Sequence, residues 1–352
     1  MALTESINSR KSESAGPGKR RCLLCSVALL ALVGLCGRSL LFELPTSLIL
    51  VDVKLDRPTY SAAAWRALPV LTRRGAELDV PAFPHTVRHA GLAFVTDERV
   101  REVPRADGDE AMQHILDKID IRRWCREYPA LTVVDVGGLF GDFGLSAASR
   151  GCRVVIYEPQ LRHSQQIARS VLLNKMEDKV KVHHAAISPK RWVSFVAGKK
   201  EGLATLEEAS EDAKEKIPTE RLDEEFQHDT ILVLKVDVEG NEDEVWETAS
   251  TLFREGRVLN AIFEYTPKQF EGRGTDYKTF LKRFYAIGAK QCYALHRKQP
   301  RVYKIPRGLE QAFYQRMFAS SMQTDVFCQF GSEKVNPFDS APAWSRGVSL
   351  HS

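Results

Sequence analysis

The sequence carries little excess charge of either sign. Fifty Lys and Arg face 46 Asp and Glu, a net +4 over 352 residues. That field is too weak to point to nucleic acid or to steer acidic substrates, so no nucleic-acid partner is expected. Cysteine is also scarce. There are seven, with Cys22, Cys25 and Cys36 in one N-terminal apolar run and Cys125, Cys152, Cys292 and Cys328 scattered. Cys22 and Cys25 form a CxxC, but no second pair follows at zinc-site spacing, which excludes a zinc module and a disulfide framework as organising principles. Cys152 and Cys328 lie in strand-like runs and read as core residues. A disulfide cannot be read from this spacing. What is present is ordinary for a globular protein with a sizeable core: 43% hydrophobic and 27% charged residues, in a length that suits one large domain or two small ones.

The first 43 residues stand apart. Residues 1–21 are polar, end in Lys19, Arg20 and Arg21, and are expected to be a disordered cytosolic tail. Residues 22–37 are uncharged, Arg38 interrupts them, and apolar character resumes. A spanning helix needs roughly 20 apolar residues, and Arg38 can snorkel to the interface. Residues 22–43 therefore read as a signal-anchor transmembrane segment. The basic residues before it hold the N-terminus in the cytosol and send the rest to the lumen. This predicts a single-pass membrane protein of the secretory pathway, endoplasmic reticulum or Golgi, with its main domain lumenal. A cleaved signal peptide competes, since its apolar region spans about 7–15 residues, as does a buried helix of a soluble domain. Residues 44–106, punctuated by Pro58, Pro69, Pro81, Pro84 and Pro104, read as a stem or loosely packed extension.

From residue 107 the pattern sharpens. Ala111, Ile115, Ile119, Ile121 and Trp124 recur at helical spacing over 107–127, with Asp107 or Asp109 as cap. Strand-like runs then follow at 131–136, 153–157, 180–187, 231–236, 259–264, 290–295 and 325–330. Helical patterns intervene at 142–150, 161–175, 241–256 and 275–287. WVSFVAG after residue 191 reads as an extra strand or hairpin, and 199–220 as a polar stretch. Strands alternating with helices predict an α/β domain, a mostly parallel sheet with helices on both faces. The expected domain is 107–332, followed by a tail over 333–352.

The chemistry concentrates at strand ends. The first run, Leu131–Val134, leads into Asp135 and then Gly137, Gly138, Gly141 and Gly144. A strand breaking into glycines and then a helix is how α/β proteins cradle nucleotide-like ligands. A dinucleotide loop keeps its acid for the end of the second strand. Here Asp135 sits beside the ligand's path, where it would repel a pyrophosphate and tolerate a sulfonium cation. Glu158 ends the next strand, where an acid can accept two ribose hydroxyls. The strand 231–236 ends in Lys235, Asp237, Glu239, Gly240 and Glu242. Period two puts Lys235 and Asp237 on one face. Paired carboxylates there can bind an acceptor, take its proton or hold a divalent ion, although Glu239 or Glu242 could instead cap the following helix. Glu264 ends the strand after that. His183 and His184, adjacent in a strand, face opposite ways and read as structural. No residue is assigned as a metal ligand.

DVGGLFG, YEP, LKVDVEGNE and IFEY together resemble the FkbM family of S-adenosylmethionine-dependent methyltransferases, with AAIS (185–188) and RLD (221–223) as weaker markers. The resemblance covers roughly 130–265 and, more loosely, continues to 330. It implies a Rossmann-like class I methyltransferase fold with a seven-stranded sheet. It implies S-adenosyl-L-methionine as cofactor and methyl transfer, commonly to a hydroxyl oxygen. Asp135, Gly137, Gly138 and Gly141 would lie against the methionine part, Glu158 against the ribose, and Ala186 would also bind cofactor. Asp237 and Glu239 would be catalytic, and Lys235 and Glu264 would bind substrate. Gly138-Leu139 stands where the family usually has Ala-Asn. The function expected is O-methylation of a hydroxylated acceptor such as a glycan or small metabolite. The alternatives are an NAD-dependent oxidoreductase and a membrane-tethered, non-catalytic protein of the same fold. The sequence assigns no oligomeric state.

Overall fold

The computed structural model describes residues 61–98, 109–196, 205–331 and 337–350. The expected cytosolic tail, the anchor at 22–43 and the beginning of the expected stem lie outside these residues. No helix among the described residues is long and apolar enough to cross a membrane.

The described chain opens with α1 (Ala62–Ala67), β1 (Leu71–Arg73), β2 (Ala76–Glu77), β3 (Thr86–His89) and β4 (Leu92–Val95). Next come α2 (Asp109–Lys118), α3 (Ile121–Glu127), β5 (Thr132–Val136), α4 (Asp142–Ser149), β6 (Arg153–Tyr157), α5 (Leu161–Leu173) and β7 (Val180–His183). A side sheet follows from β8 (Ala186–Ile187), β9 (Trp192–Val196), β10 (Thr205–Glu208) and β11 (Ile217–Glu220). Then come α6 (Leu222–Glu225), β12 (Ile231–Val236), α7 (Glu242–Arg254), β13 (Asn260–Tyr265) and α8 (Tyr277–Ala286). The last elements are β14 (Gln291–Leu295), β15 (Val302–Ile305), α9 (Glu310–Ala319) and β16 (Thr324–Gln329).

The main sheet has ten strands in the order β15-β14-β16-β13-β12-β5-β6-β7-β1-β2. The central run from β7 to β14 holds the seven strands expected. The block from β1 to β13 is parallel throughout, and β16 is antiparallel to both of its neighbours. Strand alternation divides the core into two layers. Val134, Val136, Leu234, Val236 and Phe263 meet α7, α8 and α9 on one face. Val133, Val154, Ile156 and Val233 meet α2 to α5 on the other. Trp246, Phe253, Phe280 and Phe284 interlock by edge-to-face and stacked contacts in the first layer.

Several expectations change. The single helix over 107–127 is two, because Asp120 adopts φ +53 and its side chain accepts from Arg123 N, capping α3. The strand over 180–187 breaks after His183. His184 N donates to Thr72 O of β1, and the chain turns so that Ala186 pairs with Thr219 in the side sheet. The polar stretch 199–220 contributes β10 and β11 to that sheet. Residues expected as a stem pack into the core from residue 61 onward: Trp65, Leu71, Phe94 and Val95 are buried, and β1 pairs in parallel with β7. The expected tail is likewise anchored by buried Phe338, Trp344 and Leu350. The four scattered cysteines are paired, Cys125 with Cys152 and Cys292 with Cys328. The second bridge joins directly opposed residues of β14 and β16.

Candidate functional site

The carboxyl ends of β5, β6, β12 and β13 lie side by side in the parallel block, the edge where open α/β sheets bind ligands. At the centre is the turn after β5. Gly137 and Gly138 both donate to Tyr157 O, at 2.9 and 3.2 Å, and Asp237 N donates to Val136 O at 3.0 Å. Gly137 has φ +83, and a Cβ there would sit 1.8 Å from Asp237 O. Only glycine fits, and its absence of side chain lets the loop lie directly on the end of β12. A Cβ at Gly138 would meet Ile156 Cγ2 at 2.4 Å. Ile156 fills the space that an alanine methyl would take, which accounts for glycine at this position. Gly141 N closes the turn on Gly138 O at 2.6 Å and leads into α4.

Leu139 is the exposed corner of this turn. Its φ is +45 and it is 45% exposed, a left-handed conformation that Asn adopts far more readily than Leu. Its N–H donates to Glu158 Oε2 at 2.9 Å, and Gln160 N donates to Glu158 Oε1 at 2.8 Å. Glu158 is thus fixed by two backbone donors, and each oxygen keeps a lone pair for a ligand. Burial is the dominant effect on its carboxyl and pushes it up to about 7.

Asp135 and Lys235 face each other in register on β5 and β12. Lys235 Nζ lies 3.5 Å from Asp135 Oδ1 and 3.4 Å from Asp237 Oδ2, and donates to Gly137 O at 3.2 Å. The shared face of Lys235 and Asp237 is as period two predicts. Asp135 Oδ2 accepts from Gly144 N at 3.1 Å. Burial raises the Asp135 carboxyl despite the lysine beside it. Burial works against the charge on Lys235, but Asp237 and Asp135 outweigh it and raise its pKa.

The next wall is acidic. Glu239 has φ +56, and its carbonyl accepts from Arg273 Nη1 at 2.6 Å. Asn241, not Glu239, occupies the cap of α7. Glu242 is structural: it accepts from Gly240 N, Thr275 Oγ1 and Tyr277 Oη. Glu264 accepts through Oε1 from Thr266 Oγ1 at 2.9 Å and Gln323 Nε2 at 2.7 Å. Burial, then Asp237, raise Glu239 to about 7 and Glu264 well above the carboxylate range. The sequence reading missed Asp325, buried on β16 directly opposite Glu264 and held at about 7 by burial and then Asp237. An acid inside the apolar run TDVFCQF was the available signal.

Ala186, Gly137, Pro159, Val238 and Asn241 line one narrow cleft beside this turn. All ten expected site residues therefore gather along the carboxyl edge. His184 contacts Pro159 O at 3.1 Å and His183 contacts Glu220 at 2.7 Å, both in supporting positions. A second cavity of about 450 Å³ runs along β6 and β7, from Thr132, Arg153 and Lys181 near the starts of the strands to Tyr157 and His183 at their ends.

No curated protein sequence matches the chain. Among solved structures, a SAM-dependent methyltransferase from Agrobacterium tumefaciens is similar at 12% identity, covering 72% of each chain with a TM-score of 0.40. The N-terminal domain of human METTL16 in complex with SAH is similar at 12% identity, over 68% of this chain and 76% of that one, with a TM-score of 0.36. The methyltransferase FkbM domain matches residues 135–290, a span running from the acid before the glycine turn through β12, β13 and α8. Over these residues, rather less than half of its length, the chain matches the methyltransferase FkbM domain.

Proposed function

We propose that the protein is an S-adenosylmethionine-dependent O-methyltransferase acting on a hydroxylated acceptor, a glycan or small metabolite. The observation that carries the reading is the division of the edge into two differently built walls. Glu158 and the Gly137–Gly141 turn form a wall with backbone fixed close to the ligand. Asp237, Glu239 and Glu264 form a wall of under-neutralised carboxylates. The residues present fit the cofactor. Glu158, 3% exposed and already oriented by two donors, can accept two ribose hydroxyls, and glycine at 137 keeps the turn seated on the end of β12, where any side chain would strike Asp237 O.

Held by Glu158 and the Gly137–Gly141 turn, the cofactor would supply an electrophilic methyl on sulfur to an acceptor hydroxyl, whose proton the chain would have to take up. The chain's work is alignment and proton handling. Lys235 holds Asp135 and Asp237 in fixed relation across the glycine turn. Asp237, 35% exposed at its side chain, takes the acceptor's proton. Glu239 and Glu264 orient the acceptor from the far wall.

The two buried disulfides support an oxidising compartment. Together with the apolar segment at 22–43, they favour a membrane-anchored enzyme with its domain in the secretory lumen. The test is release of S-adenosylhomocysteine from S-adenosylmethionine across a panel of glycans and small hydroxyl compounds. Acceptor-dependent release that falls at least about a hundredfold in Asp237→Asn is expected. Release unchanged in that variant, or no release with any acceptor, contradicts the reading.

A further inference from the structure

Asp237, Glu239 and Glu264 each offer a carboxylate oxygen, and the three oxygens lie within 4.8 Å of one another. They come from the end of β12, the left-handed turn after it, and the end of β13. An ion bound to oxygen at about 2.1–2.4 Å spans roughly 4.2–4.8 Å across its ligand shell, the width of this cluster. Glu264 is 3% exposed. Its Oε2 has no hydrogen-bond donor, and neither has the buried Oε2 of Glu239. A buried carboxylate oxygen without a donor is costly. Neighbouring protein groups do not relieve it. Lys235 is engaged with Asp237 and Asp135, Arg273 donates to the carbonyl of Glu239 rather than to its carboxylate, and Asp325 adds further negative charge beside Glu264.

We propose that Asp237, Glu239 and Glu264 bind one divalent, oxygen-preferring cation of the Mg2+, Mn2+ or Ca2+ class, and that this cation seats an acceptor carrying two adjacent oxygens, such as a vicinal diol or a hydroxy acid. The donor set is all carboxylate, with neither His nor Cys, which selects hard cations over Zn2+ or Cu2+. Three monodentate carboxylates leave about three positions of a six-coordinate ion open, enough for a bidentate acceptor. The acceptor part rests on the methyltransferase reading, whereas the cation site stands on the geometry alone. The competing way to satisfy these oxygens is a proton shared among the carboxyls, which would need no metal.

The test uses the full-length protein stripped of metal and titrated with MnCl2 by calorimetry and electron paramagnetic resonance. One Mn2+ per chain is expected, weakened at least about tenfold in Glu264→Gln and in Asp237→Asn. Water-proton relaxation should show exchangeable waters on the bound Mn2+. S-adenosylhomocysteine affinity of Glu264→Gln should stay within about twofold of the parent, since Glu264 lies on the acceptor wall. If Glu264→Gln fails to fold, the more exposed Asp237→Asn decides. Mn2+ binding no tighter than about 1 mM, or binding unchanged in the variants, overturns the cation site. Bound Mn2+ without exchangeable water overturns the acceptor role. Mn2+ binding without S-adenosylhomocysteine binding would sink the methyltransferase reading and leave the cation site standing. The reverse result would sink the site and spare the reading.

Discussion

Replacing Lys235 by Met removes the ammonium that bridges Asp135 and Asp237 while keeping most of its volume. Lys235 Nζ stands 3.5 Å from Asp135 Oδ1 and 3.4 Å from Asp237 Oδ2. At an effective dielectric of about 20, each pair is worth roughly 5 kcal/mol before desolvation is subtracted. Removing the ammonium also removes its own desolvation cost, so the net loss is smaller. What remains is Asp135, 1% exposed, with Gly144 N as its donor. Breaking one partner out of a buried pair costs about 3–5 kcal/mol, and we expect about 3 kcal/mol for Lys235→Met in denaturant unfolding at pH 8. The cost should shrink at pH 5. Burial already raises the Asp135 carboxyl, and loss of the lysine raises it further. An acid with a raised folded-state pKa is most favourable below its unfolded value and loses that stability as pH rises through the folded value. Adding Asp135→Asn to Lys235→Met should recover more than about 1.5 kcal/mol, because the orphaned charge is gone. A loss below about 1 kcal/mol, equal losses at pH 5 and pH 8, or strict additivity in the double variant would refute this account of the site's electrostatics.

Other outcomes follow from the same geometry. Leu139→Asn should stabilise the protein by about 1 kcal/mol, because Asn tolerates the left-handed φ of +45 that strains Leu; a lower unfolding midpoint would contradict this. Glu158 is held at about 7 by burial, so its stability contribution is greatest below its ordinary range and is lost as pH rises through about 7. Ribose hydroxyls donating to the ionised carboxylate lower that value, so S-adenosylhomocysteine should bind with proton release and more tightly at pH 8 than at pH 6. Calorimetry in buffers of different ionisation enthalpy checks it, and a pH-independent affinity would contradict it.

The centre of the fold was readable because its signals are local. Val133 and Val134 run straight into Asp135, Val136 and Gly137, and ILVLKV runs into Asp237 in the same way, so strand, turn and acid are contiguous in sequence. The periphery was not readable. Leu71 pairs with Val182, and a three-residue strand among prolines carries too little pattern to announce a partner that far along the chain. Val302–Ile305 and Glu310–Ala319 were missed for a related reason: a four-residue strand and a helix with a weakly one-sided apolar face depend on the sheet they pack against. Cysteine pairing likewise depends on strand register, since Cys292 meets Cys328 only because β14 and β16 are neighbours. In the site, each acid was visible singly, but the convergence of Asp237, Glu239 and Glu264 depends on the β12–β13 pairing and on the left-handed turn at Glu239. Leu139 was visible as a departure from the family's Asn. Its physical meaning, a strained corner whose N–H orients Glu158, needed the backbone angle.

The central claim is that the glycine turn and Glu158 hold an adenosyl sulfonium cofactor and not a dinucleotide. Calorimetric titration of the full-length protein with S-adenosylhomocysteine and, separately, with NAD tests it most directly. The account predicts one S-adenosylhomocysteine per chain, affinity lost by at least about tenfold in Glu158→Ala, and no heat with NAD. Saturable NAD binding without S-adenosylhomocysteine binding would contradict it.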